Sequence, residues 1–357
     1  SICLSATFHH PRFGESTGYD YGRVANPTRE SLEKTVALLE RGGRSWALSS
    51  GMAAVQLVFS LLSAGDHVLM SEDLYGGTVR LAEEVFADYG ITFEYVDVRD
   101  LALVGKRMRP ETKLVFIETP SNPMMQISDI AALSALAHEN GALLAVDNTF
   151  LSPHFQKPLT LGADIVLHSG TKYLCGHNDV IAGFLVLKDA TSAQAKRIEL
   201  LAKSAGPNLS ALDSWLMLRS IKTLGVRVER QAENALAIAQ WLGTLPEVTE
   251  VLYPGLADHP GYALQQKQAS GAGGMISFKV RSAELAKAAL GKLHLIAFAE
   301  SLGGVETLLT YPIAQTHAEM PAALLKRTGL DDKLLRLSVG IEDVEDLKAD
   351  LQQALQG

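Results

Sequence analysis

The sequence predicts an α/β fold, a mostly parallel central sheet flanked by helices and followed by a smaller C-terminal α+β domain. Three observations carry that prediction. Short apolar runs alternate with amphipathic segments from Trp46 to Val146, the pattern of strands and crossover helices in a parallel sheet. Helical periodicity dominates from Ser192, and beyond Leu245 and Pro246 it gives way to strands interleaved with helices. A chain of 357 residues also exceeds what one hydrophobic core usually supports, so two packed units are expected. The divisions fall as an arm over 1–27, a large domain over 28–240 and a C-terminal domain over 241–357.

Residues 1–25 have no convincing period and read as an extended arm. Its cluster YDYGR, with Asp20, Tyr21 and Arg23, is unusual for a free tail and suggests docking on another subunit. Asn26 and Pro27 start a helix as cap and first-turn residue, and Gly42 and Gly43 end it beyond Leu39. A strand over Trp46–Leu48 then meets Ser49, Ser50, Gly51 and Met52 before an apolar helix to Leu62. Backbone N–H groups and the helix dipole at such a turn suit an anion, although the same residues make a plain tight turn. Strands over His67–Ser71, Thr92–Val98, Leu114–Glu118 and Ala142–Val146, with helices over Thr78–Tyr89 and Asp129–Glu139, complete the alternation. A long helix from about Ser210 to Trp241 joins the domains. The C-terminal pattern covers Val248–Tyr253, Met275–Val280, Ser282–Leu293, Ile296–Glu300, Leu334–Val339 and Val344–Leu355.

The chemistry centres on Asp164–Asp179, DIVLHSGTKYLCGHND. Ile165, Val166 and Leu167 form a short buried strand that ends in small and polar residues around Lys172. A lysine between Ser169 and Thr171, just past a buried strand, is placed to be partly desolvated. Its pKa then falls, and the neutral amine suits Schiff-base chemistry. The neighbouring strand ends in Asp147, and both strand ends would open on the carboxyl edge where parallel sheets bind ligands. A lysine and an aspartate there match a pyridoxal phosphate site, in which the carboxylate keeps the pyridinium nitrogen protonated. Taken singly, each has an ordinary reading, a solvated lysine and a helix-capping aspartate. Tyr75 could stack on a planar ring, and Asn122, in the loop ETPSNP, offers an amide to a ring oxygen. Arg336 and the run Glu300–Gly304 sit at strand ends of the C-terminal domain. The fork of Arg336 suits bidentate binding of a substrate carboxylate.

Composition narrows the partners. With 32 basic and 40 acidic residues the net charge is -8 and no basic tract stands out, which argues against nucleic acid or an anionic membrane. Two cysteines, Cys3 and Cys175, give neither a disulfide framework nor metal-ligand spacing, as expected in a reducing cytoplasm. No apolar run approaches a membrane span, and the start lacks the pattern of a signal peptide.

Together the motifs YGRVANPTR, SSGMAA, DLYGGT, ETPSNP, VDNTF, HSGTKYLCGHND, AESLGG and RLSVGIED resemble the Cys/Met-metabolism branch of fold-type I pyridoxal phosphate enzymes. That branch includes cystathionine γ-synthase, cystathionine γ-lyase, methionine γ-lyase and homoserine-ester sulfhydrylases. The resemblance spans essentially the whole chain and implies that 28–240 is the cofactor-binding domain. It also implies roles: Lys172 links to the cofactor and moves protons, Asp147 pairs with the ring nitrogen, Tyr75 stacks on the ring and Asn122 meets the ring oxygen. Gly51, Met52, Ser169 and Thr171 would hold the phosphate, and Tyr21 and Arg23 would reach the phosphate of the neighbouring subunit. Arg336, Ser301 and Asn122 would take the substrate α-carboxylate. A homotetramer, built as a dimer of catalytic dimers, is the family's usual assembly.

Three positions bear on the reaction by resemblance. Glu300 stands where γ-synthases and γ-lyases look alike, β-lyases carry an aromatic and methionine γ-lyases a small apolar residue. Arg80 stands where methionine γ-lyases place a reactive cysteine, and Asp20 is more like γ-synthases than γ-lyases. Asp20 and Glu300 could hold the distal ammonium of cysteine or cystathionine. The reading is γ-replacement on O-acetyl- or O-succinylhomoserine by cysteine, or by sulfide, with cystathionine γ-lysis as the alternative and a pyridoxal-binding sensor as a remote one. Gly170 departs from a common alanine and is expected to loosen the loop that aims Lys172.

Overall fold

The side chain of Asn26 accepts from the backbone N–H groups of Thr28 and Arg29, and with Pro27 at the first turn it starts helix α1, Pro27–Glu40. The helix ends where Arg41 turns left-handed at φ 56°. The computed structural model describes residues 1–318 and 320–356.

Seven strands form the first sheet: β1 Arg44–Leu48, β2 His67–Ser71, β3 Thr92–Val96, β4 Thr112–Glu118, β5 Leu143–Asp147, β6 Ile165–Ser169 and β7 Gly183–Leu187. Their order is β1-β7-β6-β5-β4-β2-β3. Strands β6, β5, β4, β2 and β3 pair in parallel, while β7 runs antiparallel to both β6 and β1. Helices cover both faces, so the central strands are buried on each side. Leu32 and Val36 of α1 pack on one face with Val115, Val146 and Val166. Helix α2, Gly51–Phe59, packs Val55, Val58 and Phe59 on the other face with Val68, Phe116 and Leu167. The Phe59 ring lies 5.5, 5.3 and 5.7 Å from those of Phe86, Phe93 and Phe116. Burying such a ring contributes about 2–3 kcal/mol, and here it pins α2 with its N-terminus at the carboxyl edge of the sheet.

The second sheet has five strands in the order β10-β11-β12-β9-β8, with β8 Val248–Leu252, β9 Met275–Val280, β10 Ala297–Phe298, β11 Leu308–Thr310 and β12 Leu334–Ser338. Its apolar face, with Ile276, Phe278 and Leu335, packs against Ala235 and Ile238 of helix Leu224–Leu242 and Leu347 and Leu351 of helix Val344–Leu355.

Besides short elements it did not name, such as helix Leu101–Arg107 and β11, the sequence reading differs from the structure at four places. The expected long helix is two, Ala211–Ile221 and Leu224–Leu242. At the break the Ser220 carbonyl is taken by the Thr223 hydroxyl and the Arg227 guanidinium, and Gly225 stands in the first turn of the second helix. The helix expected over Thr78–Tyr89 is helix α3, Gly76–Leu81, followed by a π turn over Ala82–Phe86 and a 3₁₀ turn over Ala87–Tyr89. Strand β7, a fully buried run that crosses antiparallel between β6 and β1, has no counterpart in the sequence reading. The strand expected over Ile296–Glu300 contracts to Ala297–Phe298. Both cysteines are free, and among the described residues no helix is long and apolar enough to cross a membrane.

Candidate active site

The carboxyl ends of β4, β5 and β6 meet a loop and a strand of the second sheet around a cavity of about 280 Å³. Its lining includes Gly51, Met52, Tyr75, Asn122, Asp147, Ser169, Thr171, Lys172, Glu300, Ser301 and Arg336, eleven of the fifteen site residues expected from sequence.

Lys172 lies in the turn after β6, where its N–H donates to the Ser169 carbonyl at 3.2 Å and its own carbonyl accepts from Gly176 at 2.7 Å. Its Nζ donates to Ser301 Oγ at 2.9 Å. Burial, with help from the nearby Arg336 charge, pulls the ammonium pKa down to about 8. At neutral pH a useful fraction is therefore the nucleophilic amine. Gly170 does not loosen this turn: a Cβ there would lie 2.6 Å from the Phe184 ring, so glycine is what the packing admits.

Asp147 opens to the cavity but is shielded from bulk solvent. Burial raises its pKa, against the Thr149 N–H and hydroxyl, which donate to Oδ1 at 3.0 and 2.5 Å, and the charge of His168. A cation beside it would restore the ionised form. Glu118 faces Asp147 in register on β4 and accepts the Tyr75 N–H at 3.1 Å. Burial first and Asp147 second push its pKa well above the usual carboxylate range. Tyr75, 39% exposed, thus stands beside the cavity on a backbone held from below.

At the other end, Ser50 caps α2 by accepting the Ala53 N–H at 3.1 Å. A Cβ added to Gly51 would lie 2.9 Å from that of Ser169, so backbone and hydroxyl approach closely where an anion would sit. Thr149 ties the two ends together, since its hydroxyl also accepts the Ser169 N–H at 2.8 Å.

Arg336 on β12 is 1% exposed. Its Nη1 donates to Asn122 Oδ1 at 2.7 Å, its Nη2 to the Ser301 carbonyl at 3.3 Å, and its buried Nε has no partner among the described residues. Burial lowers its pKa to about 10, still leaving it charged at neutral pH. An arginine that lines a cavity with a buried N–H unpaired has the chemistry to take a carboxylate.

Four expected residues lie elsewhere in this chain. Arg23 donates to the Lys203 carbonyl, and its own carbonyl accepts from Asn208. Tyr21 lies under the Arg23 guanidinium, 5.5 Å from ring centroid to carbon. Asp20 accepts from the Ser16 hydroxyl at 2.5 Å. Arg80 is exposed in the last turn of α3, outside the cavity lining. The sequence reading gave no role in the site to Glu118, Thr149 or Thr316, which also line the cavity beside Ser50 of the expected anion turn. For Glu118 a signal existed: two adjacent strands each ending in an acid.

A family model described as "Cys/Met metabolism PLP-dependent enzyme" matches residues 1–356. The chain belongs to this family. Among Cys/Met-metabolism relatives, it is 47% identical to cystathionine beta-lyase of Bacillus subtilis over 351 residues, 98% of this chain and 90% of that one. It is 46% identical to the cystathionine gamma-synthase/O-acetylhomoserine (thiol)-lyase of the same organism, over 99% of this chain and 90% of that one. A crystal structure of cystathionine gamma-lyase from Lactobacillus plantarum, complexed with L-serine, superposes with a TM-score of 0.96 at 42% identity, over 100% of this chain and 93% of that one. The chain is thus a pyridoxal phosphate-dependent enzyme of Cys/Met metabolism. Its cavity fits that cofactor: an amine of lowered pKa, the close approach of Gly51 to Ser169 and a carboxylate that a cation would ionise are the three features such a group needs.

Proposed function

We propose that the enzyme replaces the γ-substituent of O-acetyl- or O-succinylhomoserine with cysteine, giving cystathionine and the free acid, and that sulfide can take the place of cysteine to give homocysteine. One observation supports an amino-acid substrate with a second charged end, and Asp20 by resemblance tips the reading to the synthase: the cavity is lined by the buried Arg336 and the exposed Glu300 as well as by Lys172. That arrangement suits an amino acid with a carboxylate inside and a second, cationic group at the mouth.

In this reading the bound cofactor supplies an electron-accepting ring. Lys172 would hold it, and its amine would move protons among the α, β and γ carbons of the substrate. Asp147 would keep the ring nitrogen protonated, Tyr75 would stack on the ring and Asn122 would meet the ring oxygen. Gly51, Met52, Ser169 and Thr171 hold the phosphate, joined by Tyr21 and Arg23 from a neighbouring subunit. Arg336, Asn122 and Ser301 orient the α-carboxylate, and Glu300, with Asp20 of the neighbour, holds the distal ammonium. The same reading carries the division of the chain at 27 and 240, a homotetramer and a cytoplasmic location.

Cystathionine γ-lysis is the second reading, favoured by the likeness to the Lactobacillus plantarum enzyme. A product assay on the loaded enzyme separates them. With either ester and cysteine, cystathionine is expected, and with cystathionine alone, little keto acid. Cysteine, 2-oxobutyrate and ammonia from cystathionine would make it a γ-lyase; homocysteine, pyruvate and ammonia would make it a β-lyase. Both outcomes overturn the proposal.

A further inference from the structure

We propose that His317 is a positioning residue for the carboxylate end of the site, acting through the backbone of Asn122. The inference rests on the assignment of Arg336 to the substrate carboxylate. His317 lies beyond β11, on the side of the second sheet, and is 1% exposed. Its Nε2 is 3.0 Å from the Asn122 carbonyl oxygen, and a carbonyl can only accept, so Nε2 carries the hydrogen. Nδ1 is then the acceptor of the Thr316 hydroxyl at 2.8 Å. Burial first and the Arg336 charge second hold the imidazole pKa down to about 4, against the backbone contacts to Asn122 and Leu74, so the ring is neutral at working pH.

The carbonyl that His317 holds belongs to the residue whose Oδ1 takes Arg336 Nη1 at 2.7 Å. The next carbonyl, that of Pro123, accepts from Ser277 Oγ at 2.6 Å. Two successive carbonyls of a loop from the first sheet are therefore fixed by side chains reached from the second. Ser277 fixes the loop's height, while His317 sets the rotation of the Asn122 peptide and with it the direction of its amide. Nearby, the Thr316 carbonyl would lie 2.5 Å from a Cβ at Gly76, so the same segment presses on the turn that carries Tyr75. Losing the Nε2 donor leaves a buried carbonyl unpaired, and the Asn122 peptide turns to find another donor. Arg336 then loses the acceptor that aims its fork.

The test compares His317→Gln with His317→Asn in the loaded enzyme. Both side chains are neutral amides; the glutamine nitrogen reaches the place of Nε2, and the asparagine nitrogen reaches only that of Nδ1. The probe is glycine, which has an α-carboxylate and no γ-substituent, titrated by the absorbance of the bound cofactor. His317→Asn should weaken glycine binding about tenfold, the scale of one misdirected charge-assisted hydrogen bond. His317→Gln should bind it within about twofold of the parent. Cofactor affinity should fall less than glycine affinity in His317→Asn, because Asn122 is one of several residues assigned to the cofactor, and should hold in His317→Gln. Equal glycine affinity in the two variants, or equal loss of glycine and cofactor, overturns the proposal, because a packing role would not distinguish reach. Arg336→Lys separates this from failure of the underlying assignment: if it too leaves glycine binding unchanged, Arg336 is not the carboxylate seat.

Discussion

Lys172 Nζ donates to Ser301 Oγ at 2.9 Å across 129 residues of sequence, and Ser301 sits at a backbone φ of 95° to do so. A non-glycine residue there costs about 1–2 kcal/mol, so the fold spends stability to bring a hydroxyl to the amine. Ser301→Gly should therefore raise thermal stability by about 1 kcal/mol while weakening substrate binding. Ser301→Ala keeps the strained backbone and loses only the hydroxyl, so its stability should change by less than about 0.5 kcal/mol. Thermal unfolding of the two variants checks this; a less stable glycine variant would refute the strain account.

The lowered pKa of Lys172 sets how the cofactor-free protein takes up pyridoxal phosphate. The rate should climb with pH through about 8 and level off above it, as the amine loses its proton. Stability follows the same group. The unfolded chain, with a lysine pKa of about 10.4, binds more protons between pH 8 and 10.4, so this group's contribution to stability rises with pH across that window. Stopped-flow absorbance and melting curves read the two effects.

Glu118 is a buried acid beside another acid, and its folded pKa lies well above its unfolded one of about 4.3. The folded state therefore binds more protons, and the cofactor-free protein loses stability from this group as pH rises above that value. Glu118→Gln mimics the neutral acid and should be more stable than the parent by a margin that grows from pH 5 to pH 8. Cofactor affinity should hold within about threefold, the scale of a lost weak hydrogen bond. A variant less stable at pH 8 than at pH 5, relative to the parent, would count against a protonated Glu118.

Arg336→Lys keeps the charge but not the fork, and a single ammonium cannot serve Asn122, the Ser301 carbonyl and a substrate carboxylate together. The ratio kcat/KM should fall about 100-fold, mostly through KM, since about 2–3 kcal/mol of charge-assisted hydrogen bonding is lost. Steady-state kinetics with a homoserine ester gives the answer.

Glu300→Gln tests the specificity reading at the rim. An exposed acid holding a distal ammonium contributes about 1 kcal/mol, so kcat/KM with cysteine as acceptor should fall about fivefold. Sulfide, which has no ammonium, should be used as before. Equal losses with both acceptors would show that Glu300 acts on the ester or on the fold.

The sequence by itself determined the parts that local chemistry marks. Apolar runs ending in Asp147 and before Lys172 fixed the strand ends, and Ser50 and Gly51 before an apolar helix marked the α2 N-terminus, because strand burial and helix capping depend on near neighbours in the chain. Tertiary structure decided what depends on register and on distant partners. Glu118 is an ordinary strand-final acid until β4 and β5 set it opposite Asp147. At the helix break near Thr223, Arg227 reaches back to the Ser220 carbonyl, a partner seven residues away that Gly225 alone does not announce. Arg336, Asn122 and His317 meet only because the two sheets pack edge to loop, over separations of 214 and 195 residues. Tyr21 and Arg23, named from sequence, lie outside the cavity within a single chain. Hydrogen bonds and desolvation act over a few ångströms of space, and only the folded chain says which residues share them.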